Sequence, residues 1–513
     1  MKKILKLLFQ RVVIVGAAIV AQVGIIALIL WKFSPYFVYF YGLSIMFALG
    51  VVLYIINGRD NPGYKIAWLV PVMAFPVFGA IFYVVLGKGR MSRRQKAKIQ
   101  RIQEETIKAM PKENPILERL SEENIEAGNQ SRYIEKYALA PVYRHTYTEY
   151  LPMGEVKFQK MCEELEKAEH YIFLEYFIVK EGKMWDTILE ILVRKAQAGV
   201  DVRMVYDDLG SIMTLPYGYD KKLESLGIQC AVFNPFVPVV NIGLNNRDHR
   251  KICIIDGHTG FTGGINLSDE YINAYPKYGH WKDSAVLMKG DAVWNLTVMF
   301  LAMWATIRDD LKEDDFENFR PLVNNPNGIP SDGYVQPFSD SPLDEEPVGE
   351  TVYINLINKA KRYVHITSPY LIIDNEMVTA LCNAAKSGVD VRIITPHVAD
   401  KWYVHAVTRA YYEVLVESGV KIFEYTPGFI HAKTFVVDDE YAVVGTINLD
   451  YRSLYLHFEC GAWMYRTRCV AQVAEDFLKT QEVCQQITLE ECKNISLARR
   501  IGRSILRAFA PLM

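Results

Sequence analysis

Apolar residues dominate the first ninety positions and then give way to short apolar runs set between charged stretches. Three uncharged runs open the chain: Val12–Trp31, Tyr36–Ile56 and Ile66–Leu86. Each has 20 or 21 residues, enough to cross a hydrocarbon core of about 30 Å. Trp31, Tyr36, Tyr54, Trp68 and Tyr83 stand near the run ends, where amphipathic rings prefer the interface. A cleaved leader accounts for only the first run, and no small-residue cleavage site follows it. Pro71 and Pro76 predict a kinked or re-entrant third run. Residues 1–90 are therefore expected to form a membrane anchor of two to three transmembrane helices.

Basic residues set the expected orientation. Lys2, Lys3, Lys6 and Arg11 place the N-terminus on the cytoplasmic side, and Lys88, Arg90, Arg93, Arg94, Lys96, Lys98 and Arg101 do the same for everything beyond the last run. Three full crossings cannot satisfy both clusters, so either one run does not cross or the N-terminus lies outside. The second cluster is larger and tight against the last run, which puts the rest of the chain on the cytoplasmic side.

Residues 91–135 are charged and helix-forming and predict a solvated helical connector. Beyond them the chain repeats itself. KAEHYIFLEYFIV at 167–179 parallels KAKRYVHITSPYLI at 359–372, and KAQAGVDVRMVYDD at 195–208 parallels AAKSGVDVRIITPH at 384–397. In each half an apolar strand, a helical stretch, a glycine turn and a second strand follow one another, the pattern of an α/β unit with parallel pairing. The predicted halves are 136–308 and 334–490, joined by an acidic, Pro- and Asn-containing linker at 309–333. Residues 491–513 predict a basic amphipathic helix: Leu497, Ile501, Ile505 and Phe509 share one face, with Arg499, Arg500, Arg503 and Arg507 elsewhere. That composition suits an interfacial helix drawn to anionic lipid, or a terminal helix packed on the domain before it.

A formal net charge of −2 excludes a protein that coats nucleic acid, because phosphate-tracking surfaces need a positive excess. The eight cysteines form no CxxC pair, which argues against zinc ribbons and thioredoxin chemistry and predicts reduced, mostly buried thiols.

Each half delivers the same pattern of candidate chemistry. The first is His249-Arg-Lys251 with Asp256, then Gly263, Gly264 and Asn266; the second is His431-Ala-Lys433 with Asp438, then Gly445, Thr446 and Asn448. Both glycines fall 14 residues after their histidine and both asparagines 17 after. An isolated histidine in an apolar run is ordinarily a satisfied core group; two copies at matched spacing are not explained that way. In a strand, His and Lys at i and i+2 share a face, whereas each Asp has the opposite parity and sits at the strand end, a bracing position. Two ammonium groups and two amides facing one phosphodiester would absorb its charge and that of its transition state. One neutral imidazole could attack phosphorus while the other protonates the leaving alkoxide and later deprotonates the acceptor. No metal is required, and lysines in place of carboxylate ligands argue against one. Each imidazole needs a carboxylate at Nδ1; the candidates are Asp283 in the first half and Glu459 in the second.

This doubled HxKxxxxD pattern resembles the phospholipase D superfamily, from about Tyr137 to Leu489. NNRDHRKICIIDGHTGFTGGINLSDEY is similar to the bacterial cardiolipin synthase form of the first motif, as are DDLGS at 207–211, SPY at 368–370 and INLDYRSLYLHFE at 447–459. NPGYKIAWLVPVMAFPVFGAIFYVVLGKG at 61–89 resembles the anchor region of such synthases; the additional run Val12–Trp31 departs from their two-span pattern. The resemblance implies two pseudo-symmetric α/β halves, each a mixed sheet flanked by helices, sharing one active site. It implies a catalytic set of His249, Lys251, Asp256, His431, Lys433 and Asp438, a phosphohistidine intermediate with His249 favoured as nucleophile, no cofactor, and location in a bacterial cell membrane. The implied reaction transfers a phosphatidyl group from one phosphatidylglycerol to another and releases glycerol, with phosphatidylglycerol and anionic lipid as partners and no nucleic acid. The alternatives are a hydrolytic phospholipase D, a transferase with another acceptor, a nuclease and a non-catalytic lipid-binding protein.

Overall fold

A computed structural model describes Gly24 and residues 37–87, 93–111, 113–235, 246–308, 316–321, 328, 330, 332–344 and 346–512. The described chain divides into two units, the smaller made of 1–92, 234–245 and 508–513 and the larger of 93–233 and 246–507.

In the smaller unit, helices Phe37–Asn57, Pro62–Ala74 and Pro76–Leu86 pack around Ala48, Val51, Ile55, Trp68, Val72, Ala80 and Tyr83. Among the described residues no helix is long and apolar enough to cross a membrane. Of the three crossings expected from sequence, the first lies outside the described residues apart from Gly24, as do Lys2, Lys3, Lys6, Arg11, Lys88 and Arg90. The third is two helices rather than one: Phe75 leaves helical geometry at φ −133° and ψ 75° because Pro76 follows it. Much of the apolar surface of these helices faces outward, including Leu43, Met46, Leu53, Met73 and Phe75.

The larger unit contains the repeated halves. The first supplies β1 (Thr146–Leu151), β2 (Tyr171–Tyr176), β3 (Asp201–Asp207), β4 (Gln229–Phe233), β5 (Arg247–Asp248), β6 (Lys251–Ile255), β7 (Thr259–Gly263), β8 (His280–Lys282) and β9 (Ala285–Gly290). The second supplies β10 (Tyr334–Asp340), β11 (Tyr363–Thr367), β12 (Leu371–Ile372), β13 (Asp390–Pro396), β14 (Lys421–Tyr425), β15 (Gly428–Ile430), β16 (Thr434–Val437), β17 (Tyr441–Gly445), β18 (Leu449–Asp450), β19 (His457–Tyr465) and β20 (Cys484–Ile487). One mixed sheet runs β1-β9-β7-β6-β2-β3-β4; the other repeats that topology as β10-β19-β17-β16-β11-β13-β14, extended by β20. In both, the three strands after the centre pair in parallel and the rest antiparallel. The central strands are buried along their whole length, which is why they read as continuous apolar runs rather than as alternation.

A single core joins the halves. Phe173, Ile252 and Val286 from one sheet and Val436, Val444 and Ala462 from the other cluster with helix Val293–Arg308, which is apolar nearly all round and buried accordingly. The predicted connector is helical but not wholly solvated. Leu120, Ala127 and Ile134 are buried on its helices Pro115–Glu123 and Ile125–Ala138, and Gln130 donates to the Val352 carbonyl at 3.0 Å. Its heptad-like apolar positions, masked in the sequence by surrounding charge, are the reason. The linker at 309–333 falls largely outside the described residues. The eight cysteines are free thiols, six of them buried.

Gly263 and Gly445 close the strands β7 and β17. A Cβ at Gly445 would lie 2.4 Å from the Cys460 carbonyl oxygen, and one at Gly263 2.4 Å from that of Ser284. These are backbone atoms that cannot swing aside. Gly445→Val is expected to cost about 1–3 kcal/mol by overpacking and to lower the thermal midpoint of the purified protein. Gly502→Ala, whose methyl meets nothing within 4 Å, serves as the neutral control.

Candidate active site

The two histidine motifs begin on short strands that belong to the opposite half. β5, just before His249, pairs in parallel with the start of β19 in the second half, Arg247 opposite His457 and Asp248 opposite Phe458. β15, just before His431, pairs in parallel with β8 of the first half. The register carries the exchange one residue further: the His249 N–H donates to the Phe458 carbonyl at 2.9 Å, and the His431 N–H to the Lys282 carbonyl at 2.7 Å.

The next residues along those partner strands are the two candidate carboxylates. Glu459 holds His249 Nδ1, with Oε1 at 2.9 Å and Oε2 at 3.0 Å. Asp283 Oδ2 stands 2.7 Å from His431 Nδ1. The sequence assigned each carboxylate to its own half; the structure crosses them. Strand exchange is the physical reason, and linear order could not reveal it. Gly263 and Gly445 serve the same arrangement, because the backbone each must approach, at Ser284 and Cys460, directly follows Asp283 and Glu459.

Asp256 and Asp438 stand away from this centre. Both occupy left-handed backbone, φ 49° and 54°. The Asp256 carboxylate accepts the backbone N–H groups of Glu169, His170 and Tyr171 at 2.7 to 2.9 Å. That of Asp438 accepts those of Lys361, Arg362 and Tyr363 at 2.6 to 2.9 Å. Each ties its motif to the start of the neighbouring strand, β2 or β11.

The two asparagines differ. Asn266 is closed: its Oδ1 accepts from the Ile178 N–H at 3.0 Å and its Nδ2 donates to the Tyr271 hydroxyl at 2.7 Å. It braces the loop instead of offering its amide to a phosphate, because Tyr271 reaches it first. Asn448 donates to Ser453 Oγ at 3.0 Å and leaves Oδ1 unpartnered.

Lys251 and Lys433 each fold back so that Nζ donates to the carbonyl of its own motif's histidine. Both ammonium groups are buried, and burial pulls Lys251 down to about 8 and Lys433 to about 7. Glu459 and Asp283 offset part of that loss. The fields cross between halves as the hydrogen bonds do: Lys251 acts on His249, His431 and Lys433. Burial, with help from Lys251, lowers His249 to about 3 against the pull of Glu459, so its imidazole is neutral. Burial and then Lys433, Lys251 and Lys401 hold His431 well below its usual value.

The two carboxylates part company. Glu459 is pulled well below the ordinary range because its imidazole partner and His457 outweigh burial. Burial dominates at Asp283 and pushes it up to about 7, with Lys433 and the Ser284 N–H offsetting only part. His249 therefore sits neutral on a firm carboxylate, whereas the His431–Asp283–Lys433 cluster can hold and release a proton near neutrality.

Sequence reasoning missed several neighbours. The ring of Phe177 packs on His249 at 5.1 Å and that of Trp281 on His431 at 5.5 Å. Lys157 is buried beside Asp283 and bonds Tyr176 Oη at 2.9 Å. The ring of His457 lies tilted against that of His249, centroids 5.6 Å apart. The period-two rule applied to His249 and Lys251 would have found His457 from Glu459, two residues on. His249, His457 and Glu459 bring ligating atoms within 4.8 Å of one another. Lys251 acts on both His249 and Glu459, so the field there opposes a cation and favours an anion such as phosphate.

Comparison with known proteins gives a consistent picture. The family model described as cardiolipin synthase, PLD-like domain matches 161–297 and again 353–480, and a phospholipase D-nuclease N-terminal model matches 44–88. A cardiolipin synthase of Halalkalibacterium halodurans is 35% identical over 91% of this chain and 92% of its own. An uncharacterized protein of Streptococcus mutans is 43% identical over 91% of this chain and all of its own. Among solved structures, phosphatidylserine synthase of Haemophilus influenzae superposes with a TM-score of 0.55 at 15% identity, covering 75% of this chain and 97% of that one, which is a likeness of fold.

The bracing carboxylates make a test of stability. Asp438→Ala leaves three backbone donors unmet and puts alanine in left-handed backbone, and is expected to cost about 3 kcal/mol in urea denaturation. Asp438→Asn tolerates that conformation, keeps an acceptor and should lose visibly less.

Proposed function

The chain belongs to the cardiolipin synthases of the phospholipase D superfamily and is a phosphatidyltransferase, and from that premise we propose that it joins two phosphatidylglycerol molecules into cardiolipin and releases glycerol. The observation that carries this reading is the crossed pair of carboxylates, Glu459 on His249 and Asp283 on His431. Neither half has a correctly held imidazole without the other, so one phosphorus would be handled by both.

In the proposed sequence His249 Nε2 attacks phosphorus as the P–O bond to glycerol breaks. The departing oxygen takes the proton held by the His431–Asp283 cluster. Lys251 and Lys433 absorb the charge on the non-bridging oxygens. The phosphodiester brings a negative charge against the lysine field that depresses His431, and so raises its basicity in the complex. A hydroxyl of the second phosphatidylglycerol then gives its proton to His431, its oxygen bonds phosphorus, and the P–N bond breaks. Asp256 and Asp438 keep the two motifs in register and touch no substrate.

The setting supports a lipid substrate. Outward-facing Leu43, Met46, Met73 and Phe75 make an apolar surface suited to lipid, and we assign the N-terminal helices to the membrane with the larger unit on the cytoplasmic side. Helix Leu497–Ala508 exposes Leu497, Ile501 and Ile505 beside four arginines, which suits an anionic lipid interface.

Purified full-length protein in detergent, given phosphatidylglycerol alone, is expected to form cardiolipin and glycerol in equal amounts; phosphatidic acid as the sole lipid product would reject the assignment. In His431→Asn the intermediate should accumulate, with the added mass on His249 in peptide mass spectra. A phosphorylated His431 in His249→Asn would reverse the roles.

The titration pattern gives a pH profile. His249, lowered to about 3, is already neutral across the working range and adds no falling limb as pH drops from 7 to 5, so kcat/KM should level off once Lys433 and Asp283 are protonated. Lys433, charged only below about 7, and Asp283, protonated only below about 7, both lose their proton as pH rises. kcat/KM should therefore decline through pH 7, with the limb in kcat displaced upward by bound phosphate. An ascending limb between pH 6 and 7, as an ordinary histidine base gives, would contradict this electrostatic account.

A further inference from the structure

Buried polar atoms nearly always find partners, so a cluster that lacks them calls for an occupant. Among the described residues Asn448 Oδ1, Asp450 Oδ1 and both ring nitrogens of His457 are buried without a hydrogen-bond partner. They come from one stretch and converge. Asn448 and Asp450 both turn to Ser453, His457 acts on Asp450, and the His457 ring lies tilted against that of His249. His457 Nδ1 approaches Glu459 Oε1 only to 3.7 Å, too far for a hydrogen bond.

The first half has no such set at the matching places. Asn266 is fully engaged, Ser268 donates to Glu270, and the residue two before the carboxylate is Trp281, an indole with a single donor. The duplication has thus been kept in the histidines, lysines, carboxylates and asparagines and broken where Asp450 and His457 stand for Ser268 and Trp281, and the two asparagines are bonded differently. Of these matched positions, those of the second half offer open acceptors, a carboxylate oxygen and an amide oxygen, with an imidazole able to donate or accept.

Two acceptors and one adaptable group match a pair of hydroxyls. The charges narrow the choice further. Lys433 acts on Asp450 and Lys251 on His249, so a second ammonium such as that of ethanolamine would be repelled. Asp450 and Glu459 would repel a second carboxylate such as that of serine.

We propose that Asn448, Asp450 and His457 form the subsite for the alcohol, a neutral vicinal diol such as the glycerol head of a lipid, on the second-half side of the shared site. This rests on the transferase reading above and adds to it the reason for the acceptor. A site that hydrogen-bonds a hydroxyl discriminates strongly against the analogue that lacks it.

The test supplies full-length protein in phosphatidylglycerol micelles with equal 1,2-propanediol and 1-propanol, and quantifies the phosphatidyl alcohols by mass spectrometry. Wild type is expected to favour the diol by more than about tenfold. Asp450→Asn and His457→Phe are each expected to bring the ratio towards one while donor consumption continues into phosphatidic acid and the mono-alcohol. A ratio unchanged in both variants overturns the subsite, as does a wild type without preference. Loss of all donor consumption in both, with a native unfolding midpoint, also overturns it, by placing the groups in the first step. A second readout needs no turnover: the diol, and not 1-propanol, should slow carbethoxylation of His457 by diethyl pyrocarbonate. Protection in a protein that consumes no donor would leave the subsite standing and remove the transferase reading; absence of protection together with absence of preference removes the subsite.

Discussion

Two short parallel strand pairings hold this site together. β5 on β19 and β15 on β8 are only two and three residues long, yet each sets a histidine backbone against one partner residue and its imidazole against the next. In a strand that spacing is fixed by the peptide geometry, not by flexible side chains. The precision of both imidazoles is therefore a property of the interface between the halves. It depends on the shared core around helix Val293–Arg308, which keeps the sheets from sliding. The close approaches at Gly263 and Gly445 carry the same constraint into the sheets, since added bulk there would push on the backbone that bears Asp283 and Glu459.

The charges explain why such a rigid frame is needed. Two lysines, two carboxylates and two imidazoles lie together in a buried space, and each ion would be costly there without its partners. The network compensates itself only when the halves are docked, because Lys251 answers to Glu459 and Lys433 to Asp283 across the boundary. A residual positive field remains, and it suits the one negative charge of a phosphodiester. The same field makes two histidines that the sequence presents as equals electrostatically unlike. Glu459 stays ionised and fixes a neutral His249, whereas Asp283, lifted by burial, shares a proton near neutrality.

Much of this was legible beforehand, and the limits have physical causes. The α/β halves followed from strand and helix periods repeated at a distance, and the histidine, lysine, glycine and asparagine spacings followed from the duplication itself. Asp283 and Glu459 could be picked out as carboxylates but were matched to the wrong histidines, since strand exchange leaves no trace in linear order. Asn266 was read as open to substrate because nothing in the spacing shows that Tyr271 reaches its amide first. The third apolar run was long enough to span a bilayer by count, yet Pro76 broke it at Phe75. The connector at 91–135 was read from its charge, while single residues such as Leu120 and Ile134 decided that it packs.

Duplication gives a protein two copies of one half-site, but transfer between unlike alcohols asks for something a symmetric pair cannot provide. On the proposed mechanism the donor brings an anionic phosphorus between the two imidazoles, and the repeated part of the site meets it with matched histidines, lysines and carboxylates. On that mechanism the acceptor approaches from one side only, after the first alcohol has left, and must be distinguished from water. A group that makes that distinction has to sit beside one imidazole and not the other. The exchange of Trp281 for His457, at equivalent distances from His431 and His249, is an asymmetry of that kind. An indole closes one side with apolar surface and excludes solvent, while an imidazole flanked by Asp450 keeps the other side polar. On the proposed reading the shared chemistry constrains the repeated residues, and selectivity is left to the few positions where the repeat was allowed to diverge.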